Sequence, residues 1–389
     1  MSTDSSTRNH VLKDRTSLTV AFCGGGSGGH LTPAITLAQT WVHENPNIRF
    51  RFLFLCSGRT IDQTILSNTE LLNCDVQVAA QTVTTSAHKF KLLNGLRKDF
   101  MTCLKTLKQE RPHVVLGMGG FASVAPVLAA KRLNQSPVLL EWNAIPGKAN
   151  RWLSRHSTAV WTGWPLHHRS ASSLKATSFP FGIPVHQTTA QPTQANASGN
   201  HASRTLIIAG GSLGANRLNN LACDALAQNR HLLQDWNIKH QTGSNWQPSA
   251  VQQKDCAGLN WNRRPFIPHL AKQFSTADVI ISRAGAVTLA EIAHAQVASI
   301  LIPLSTAADQ HQAANAKLFD ETQAAFVVDE VHSSAPVSLA ECLKQLICDQ
   351  STRQQMQQHC TKLHDHLILQ NASEILANLL IHTAPESHR

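Results

Sequence analysis

The junction Thr19-Val-Ala-Phe-Cys-Gly-Gly-Gly-Ser-Gly-Gly-His30 constrains this chain more than any other segment. An apolar run ends in five glycines within positions 24–29, and helix-like sequence follows at once. Glycine used so densely marks a backbone that turns sharply and lets a ligand approach closely. A helix begun there aims unpaired N–H groups and a positive dipole end at an anionic or strongly polar group. The pattern recurs later in the chain. Arg204–Ala209 reads as a strand, Gly210-Gly-Ser-Leu-Gly-Ala215 as a glycine turn, and Arg217–Ala227 as a helix.

Around the first junction, strand and helix signals alternate. Strands are expected at Leu18–Cys23, Ile48–Cys56, Val76–Ala80, Val114–Met118, Pro137–Glu141 and Ala159–Thr162, the last closing the series. Helices are expected at Thr32–His43 (with Pro33 in its first turn), Ile61–Leu66, Lys89–Gln109, Ser123–Asn134 and Lys148–Arg155. After the second junction come strands at Asn237–Gln241, Leu259–Asn262, Val279–Ser282, Ala298–Pro303 and Ala324–Val328. Helices there are Val287–Ala295, Gln310–Phe319, Leu339–Gln345 and one long closing helix, Gln354–Ile381. Such alternation predicts an α/β chain of two parallel sheets covered by helices. Ligands of such sheets sit beyond the carboxyl ends of the strands, and a cleft between two domains is a common place for a site.

The expected division is a disordered N-terminal tail over 1–17, a first domain over 18–185, a linker or insertion over 186–203, a second domain over 204–352 and a closing helix over 353–382. The 389 residues suit about two domains. The linker is rich in Gln, Thr, Ala, Asn and Ser and nearly free of large apolar residues. Nine cysteines lie scattered with no Cys-x-x-Cys pair, which fits reduced thiols in a cytoplasmic compartment. The first 17 residues lack an apolar core, so no signal peptide is visible, and no apolar run reaches the ~20 residues that span a bilayer. A net charge of +10 favours anionic partners. Nucleic acid is disfavoured, because there is no tyrosine and most tryptophans lie outside basic runs.

The glycine loops differ from the common nucleotide signatures. Gly24, Gly26 and Gly29 satisfy G-x-G-x-x-G, but the second strand ends Leu55-Cys-Ser-Gly58, without the ribose-binding acid, and the first acid is Asp62. His30-Leu31 follows where a P-loop has Lys and Ser or Thr. The loop Gly210–Gly214 offers N–H groups and the Ser212 hydroxyl at a helix start, suited to a diphosphate. Ser282-Arg-Ala-Gly285-Ala-Val-Thr288-Leu-Ala-Glu291 supplies a third candidate. Thr288 suits a phosphate. Glu291 suits a ribose diol, or else simply complements the helix dipole. Asp309, Gln312 and Asn315 recur at helical spacing and suit sugar hydroxyls, or else form a solvated face.

Taken in order, GGGSGGH, LGMGGFAS, EWNAIPGKANRWLS, FGIPV, GGSLGANRLN, SRAGAVTLAEIA and PLSTAADQHQAANA resemble the MurG family of bacterial N-acetylglucosaminyltransferases, within glycosyltransferase family 28. The resemblance covers roughly residues 18–375. It implies a GT-B fold, with two Rossmann-like domains facing across a cleft and a last helix that crosses back to the first. It implies UDP-GlcNAc as donor, held mainly by the C-terminal domain. The implied acceptor is undecaprenyl-diphospho-MurNAc-pentapeptide, on the cytoplasmic face of the inner membrane. The product is lipid II of peptidoglycan synthesis.

Donor contacts implied residue by residue are Ser27, Gly28, Gly29, Asn143, Ser212, Ile267 (reading uracil through its backbone), Ala286, Val287, Thr288, Leu289, Ala290, Glu291 and Gln312. His186 stands where the family has Arg, and an imidazole cannot make the bidentate contact of a guanidinium. Trp142 replaces the family's Gln in the acid-Gln-Asn triplet. Inverting transfer needs a base. His30 is the first choice, with capping or packing as its alternative role, and Glu141 the second, with holding Asn143 or a loop as its alternative. No DxD-like carboxylate pair is present, so no metal and no cofactor are expected. Lys89, Phe90, Lys91, Leu92, Leu93, Leu96, Arg97 and Lys98 mix cations with apolar side chains. They suit an anionic membrane surface, or a helix packed on its own sheet. The competing readings are a related transferase with another lipid acceptor and a non-catalytic nucleotide-sugar binder.

Overall fold

The computed structural model describes residues 12, 15–26, 28–67, 69, 75–80, 89–164, 166, 168–185, 204–211, 214–306, 310–369 and 371–383. The chain divides into two compact units, residues 1–185 with 368–389, and residues 186–367. Apart from Leu12 and residues 15–17, the expected N-terminal tail lies outside the described residues, as does the linker 186–203.

The first unit is built on β1 (Ser17–Cys23), β2 (Arg49–Cys56), β3 (Asp75–Ala80), β4 (Val114–Gly117), β5 (Val138–Glu141), β6 (Ala159–Thr162) and β7 (Thr177–Pro180). Their order is β3-β2-β1-β4-β5-β6-β7, and every pairing is parallel. The strands β4, β5 and β6 are buried along their whole length, as parallel strands covered on both faces must be. Aromatic side chains fill one layer, Phe22 stacking on Phe54 at 5.1 Å and on Trp41 at 6.1 Å. The edge strand β7 was not expected from sequence. Its residues Thr-Ser-Phe-Pro are mostly exposed and carry no run of apolar positions.

The second unit holds β8 (Arg204–Ala209), β9 (Trp236–Gln241), β10 (Asn260–Arg264), β11 (Val279–Ser282), β12 (Ala298–Leu301) and β13 (Phe326–Val327). Their order is β10-β9-β8-β11-β12-β13, again all parallel. Its core joins Leu206, Ile208, Ile238, Ile281 and Ile300 of the sheet to Leu339, Leu343 and Leu346 of the helix Ala335–Cys348.

The closing helix is two helices, Gln350–Leu367 and Ala372–Thr383, not one over 353–382. Between them Ile368 bridges Ile183, and the Leu369 N–H donates to the Ile183 carbonyl at 3.1 Å, so the chain leaves helical geometry to pair. A Cβ on Gly182 would stand 2.6 Å from the Ile368 carbonyl carbon, so this approach admits no side chain there. Ala372–Thr383 belongs to the first unit. Trp41 donates its indole N–H to the Ala372 carbonyl at 2.8 Å, and the Glu44 carboxylate accepts the Ser373 N–H at 2.7 Å at the helix start. Among the described residues no helix is long and apolar enough to cross a membrane.

Candidate functional site

In each sheet the strand order reverses direction at one point, between β1 and β4 in the first unit and between β8 and β11 in the second. Loops leaving two such neighbouring strands diverge, opening the crevice where open α/β sheets bind ligands. Both glycine-rich junctions leave from these points, following β1 at Gly24 and β8 at Gly210.

At the first switch point, the Gly24–Gly26 loop meets the Met118–Gly120 loop after β4. A Cβ on Gly24, with φ +141°, would stand 2.9 Å from the Gly119 carbonyl oxygen, so only glycine lets these backbones touch. The helix Gly28–Glu44 begins inside the glycine run, earlier than the sequence suggested. His30 is therefore in its first turn. Its imidazole lies over the second loop, with Cε1 3.4 Å from where a Gly120 Cβ would stand and Nε2 3.5 Å from that of Gly119. The two glycines leave room for this ring. Ser27 lies outside the described residues, while Gly28 and Gly29 open the helix.

Asp62 anchors the loop, and sequence reasoning passed it over. It lies in the helix Thr60–Ser67 and is 1% exposed. Its carboxylate accepts the Gly26 N–H at 2.7 Å, the Ser57 N–H at 3.0 Å and the Ser57 hydroxyl. The acid absent from the end of β2 is thus supplied one turn later, and it faces the loop's own backbone. Next to the loop, burial pushes the thiols of Cys23 and Cys56 well up, so they stay protonated.

Glu141, at the end of β5, is 3% exposed and saturated with hydrogen bonds. One oxygen accepts the Asn143 N–H at 3.0 Å and the Asn143 carboxamide NH2 at 3.1 Å. The other accepts the Gly147 N–H at 2.8 Å and the Asn150 carboxamide at 3.0 Å. A carboxylate has about four acceptor positions, and all are taken by the 143–150 segment. The geometry favours the holding role over that of base. Trp142 is buried, tilted against Phe181 at 5.8 Å, and its indole N–H has no partner among the described residues.

At the second switch point, Gly214 has φ +79°, and a Cβ there would stand 2.7 Å from the Thr242 carbonyl oxygen. Ser212 and His186 lie outside the described residues. On the other side of the reversal, the helix Ala286–Ala295 starts after Gly285 with no side-chain cap and no acid in its first turn. Its first i→i−4 hydrogen bond is Leu289 N–H to the Gly285 carbonyl at 3.0 Å, leaving the Ala286, Val287 and Thr288 N–H groups at the open end. Leu289 and Ala290 are buried and root the helix in the core.

Glu291, one turn in, makes no hydrogen bond or ion pair with any described residue. It is enclosed by protein but keeps some solvent contact at the rim, and desolvation pushes its carboxyl up to about 8. Gln312 lies half-buried in the helix His311–Glu321, with its carbonyl oxygen accepting the Leu304 N–H at 2.9 Å. Ile267 donates its N–H to the Gln241 side-chain oxygen at 2.9 Å, a buried partner at the end of β9 that sequence gave no reason to single out. Phe266 beside it is 58% exposed.

In the helix Lys89–Glu110, Arg97 and Lys98 are exposed and Leu96 is half-buried. The side chains of Lys89, Phe90, Lys91, Leu92 and Leu93 lie outside the described residues.

The sequence matches the glycosyltransferase family 28 N-terminal domain over residues 20–162 and the C-terminal domain of the same family over 205–371. A relative from Pseudomonas syringae pv. tomato is 30% identical over 331 residues, covering 84% of this chain and 89% of its own. One from Bordetella pertussis is 31% identical over 365 residues, covering 92% and 96%. Both are named UDP-N-acetylglucosamine–N-acetylmuramyl-(pentapeptide) pyrophosphoryl-undecaprenol N-acetylglucosamine transferase. The crystal structure of Acinetobacter baumannii MurG superposes with a TM-score of 0.68 at 26% identity, covering 94% of this chain and 99% of that one. With two reversed parallel sheets, a glycine junction at each reversal and relatives matched along nearly their whole length, this chain belongs to glycosyltransferase family 28, among the MurG N-acetylglucosaminyltransferases.

Proposed function

We propose that this protein transfers GlcNAc from UDP-GlcNAc to the muramyl 4-hydroxyl of undecaprenyl-diphospho-MurNAc-pentapeptide, converting lipid I to lipid II with inversion at the anomeric carbon. The observation that carries the donor half is Glu291, an enclosed carboxyl without a partner, one turn beyond three open helix N–H groups. A diphosphate fits the open N–H groups and the Thr288 hydroxyl, and the ribose diol fits the carboxylate. Ile267 reads uracil and Ser212 supports the diphosphate. Asn143 and Gln312 contact the sugar. Ser27, Gly28, Gly29 and His186 complete the donor contacts.

His30 takes the proton of the acceptor hydroxyl as its oxygen attacks the anomeric carbon from the face opposite the diphosphate. The bond to UDP breaks and its electron pair leaves with the diphosphate. That charge is met by the helix N-terminus at Ala286–Thr288. The imidazolium then releases its proton to water. Glu141 holds the 143–150 segment, and Asn143 with it. The basic and apolar stretch Lys89–Lys98 rests on the anionic cytoplasmic face of the inner membrane, where the lipid acceptor resides.

The test is transfer from labelled UDP-GlcNAc to a lipid I analogue. We expect His30→Ala to lower kcat by roughly 10²–10⁴-fold, as loss of a general base does, with the Kd for UDP-GlcNAc within about twofold. A folded protein that makes no disaccharide-lipid refutes the function. An unchanged kcat in the variant removes His30 from the chemistry.

A further inference from the structure

A buried ion pair, neither partner of which is given a donor contact above, ties together three strand ends in the second unit. Glu330, just after β13, is 1% exposed, and one of its oxygens accepts from Arg283 Nη1 at 2.7 Å. Arg283 follows β11, and the same Nη1 also donates to the carbonyl of Ile302, just after β12, at 3.0 Å. The other Glu330 oxygen accepts the Ser305 N–H at 3.0 Å and the Ser305 hydroxyl at 2.9 Å. Burial raises this carboxyl, but the Ser305 groups and the guanidinium outweigh it and hold it below the ordinary glutamate range. A buried pair of this kind contributes little net stability, because desolvation offsets the attraction. Here the Arg283 Nε is also left without a partner among the described residues. Those costs are better explained by what the pair holds still.

It holds the turn at 302–305. Within that turn the Leu304 N–H donates to Gln312 Oε1 at 2.9 Å. A backbone N–H only donates, so it selects one of the two flips of the carboxamide. The oxygen faces Leu304, and the NH2 is the end left for a ligand. Fixing the turn therefore fixes Gln312 as a donor to oxygen acceptors.

We propose that Glu330 is a positioning residue for the sugar half of the donor, acting through the Ser305–Leu304 turn to set the orientation of Gln312. This rests on the reading of Gln312 as a sugar contact. The ligand chemistry it serves is a hydroxyl or acetamido oxygen, which accepts from the Gln312 NH2. The nucleotide half of the donor is indifferent to it.

The test compares Kd values for UDP-GlcNAc and UDP on the full chain by calorimetric titration. The ratio of the UDP value to the UDP-GlcNAc value isolates the contribution of the sugar. Loss or misplacement of one hydrogen bond should reduce this ratio about five- to tenfold in Gln312→Ala and in Glu330→Gln, and about two- to threefold in Ser305→Ala, with UDP binding within about twofold of the parent. Ser305→Ala leaves the ion pair intact and carries the test if Glu330→Gln does not fold. Combining either variant with Gln312→Ala should give no further loss, because both act through one side chain. The proposal is overturned if Gln312→Ala reduces the ratio while the other two leave it unchanged, if the losses multiply, or if UDP and UDP-GlcNAc weaken alike. An unchanged ratio in Gln312→Ala itself refutes the sugar contact, and the proposal with it.

Discussion

If Glu291 holds the ribose diol, as proposed, donor binding is a proton-linked event. In the free protein, burial without a hydrogen-bond partner sets its carboxyl at about 8, against an ordinary 4.5. The contact in which each carboxylate oxygen accepts from one ribose hydroxyl is made by the ionised form and is charge-assisted, so donor binding selects that form. At pH 7 about one molecule in ten is ionised, and at pH 8 about half. The association constant for UDP-GlcNAc should therefore rise close to tenfold from pH 6 to 7, roughly fivefold more by pH 8, and then level off. The sugar nucleotide is the ligand to use, because its diphosphate is a diester and does not titrate in this range. Calorimetry in buffers of different ionisation enthalpy should count nearly one proton released per donor bound at pH 7.

The same group opposes folding. A folded pKa above the unfolded one gives stability that is complete below pH 4.5 and is lost as pH rises through about 8. At about 1.36 kcal/mol per unit the upper bound is near 5 kcal/mol. At pH 8, where half of the folded molecules are ionised, about 4 kcal/mol of it is felt. Glu291→Gln should accordingly melt about 8–16 °C higher at pH 8, match the parent near pH 4.5, and bind donor weakly with no pH dependence. A parent protein whose donor affinity is flat from pH 6 to 9, or a Gln variant that keeps the slope, refutes the reasoning.

Asp62→Asn keeps the shape but replaces one acceptor oxygen by a donor that faces the Gly26 N–H or the Ser57 pair. Thermal melts should show a loss of about 1–3 kcal/mol, with a fall in kcat larger than any change in KM for UDP-GlcNAc. His294 and His364 stand 3.2 Å apart, with Asp365 3.3 Å from the latter, and burial and then His364 push His294 below its ordinary 6.5. Its neutral form contributes stability that is complete above 6.5 and is lost as pH falls below that value. The melting temperature should drop from pH 7 to 5, and His294→Gln should flatten that drop. Changing Lys89, Lys91, Arg97 and Lys98 to Glu should abolish co-sedimentation with vesicles rich in anionic lipid; retained binding defeats the membrane role.

Much of this architecture was legible from sequence because it rests on long-range hydrophobic pattern and glycine punctuation. The strands β6, β8 and β11 match their expected bounds residue for residue; β6 and β11 are buried throughout, and β8 over its last four residues. What was not legible depends on partners distant in the chain. The strand β7 is polar and exposed, and it is defined by its pairing with β6. The break at Ile368 exists because Ile183 lies there to pair with it, a contact across 185 residues that no local propensity encodes. Gln241, Asp62 and Glu330 look like ordinary polar residues in sequence. Each becomes interpretable only when a backbone N–H from another loop arrives at its oxygen.

The two units repeat one local arrangement, and they differ in where the nearest buried acid stands. A strand that enters a glycine turn and then a helix leaves N–H groups to satisfy, and it invites an anion. In the first unit Asp62 takes the Gly26 N–H for itself, just before the helix starts at Gly28. A loop so occupied has less to offer a diphosphate. It offers instead a rigid, side-chain-poor surface beside an imidazole, which suits an approaching sugar hydroxyl. In the second unit no described carboxylate accepts from an N–H of the first turn of Ala286–Ala295, and the acid sits a full turn along the helix, enclosed and unpaired. There the N–H groups remain open, which on the proposed reading suits phosphate, and the carboxyl suits hydroxyls. The paired variants Asp62→Asn and Glu291→Gln separate the two, because the first should act on turnover and the second on donor affinity.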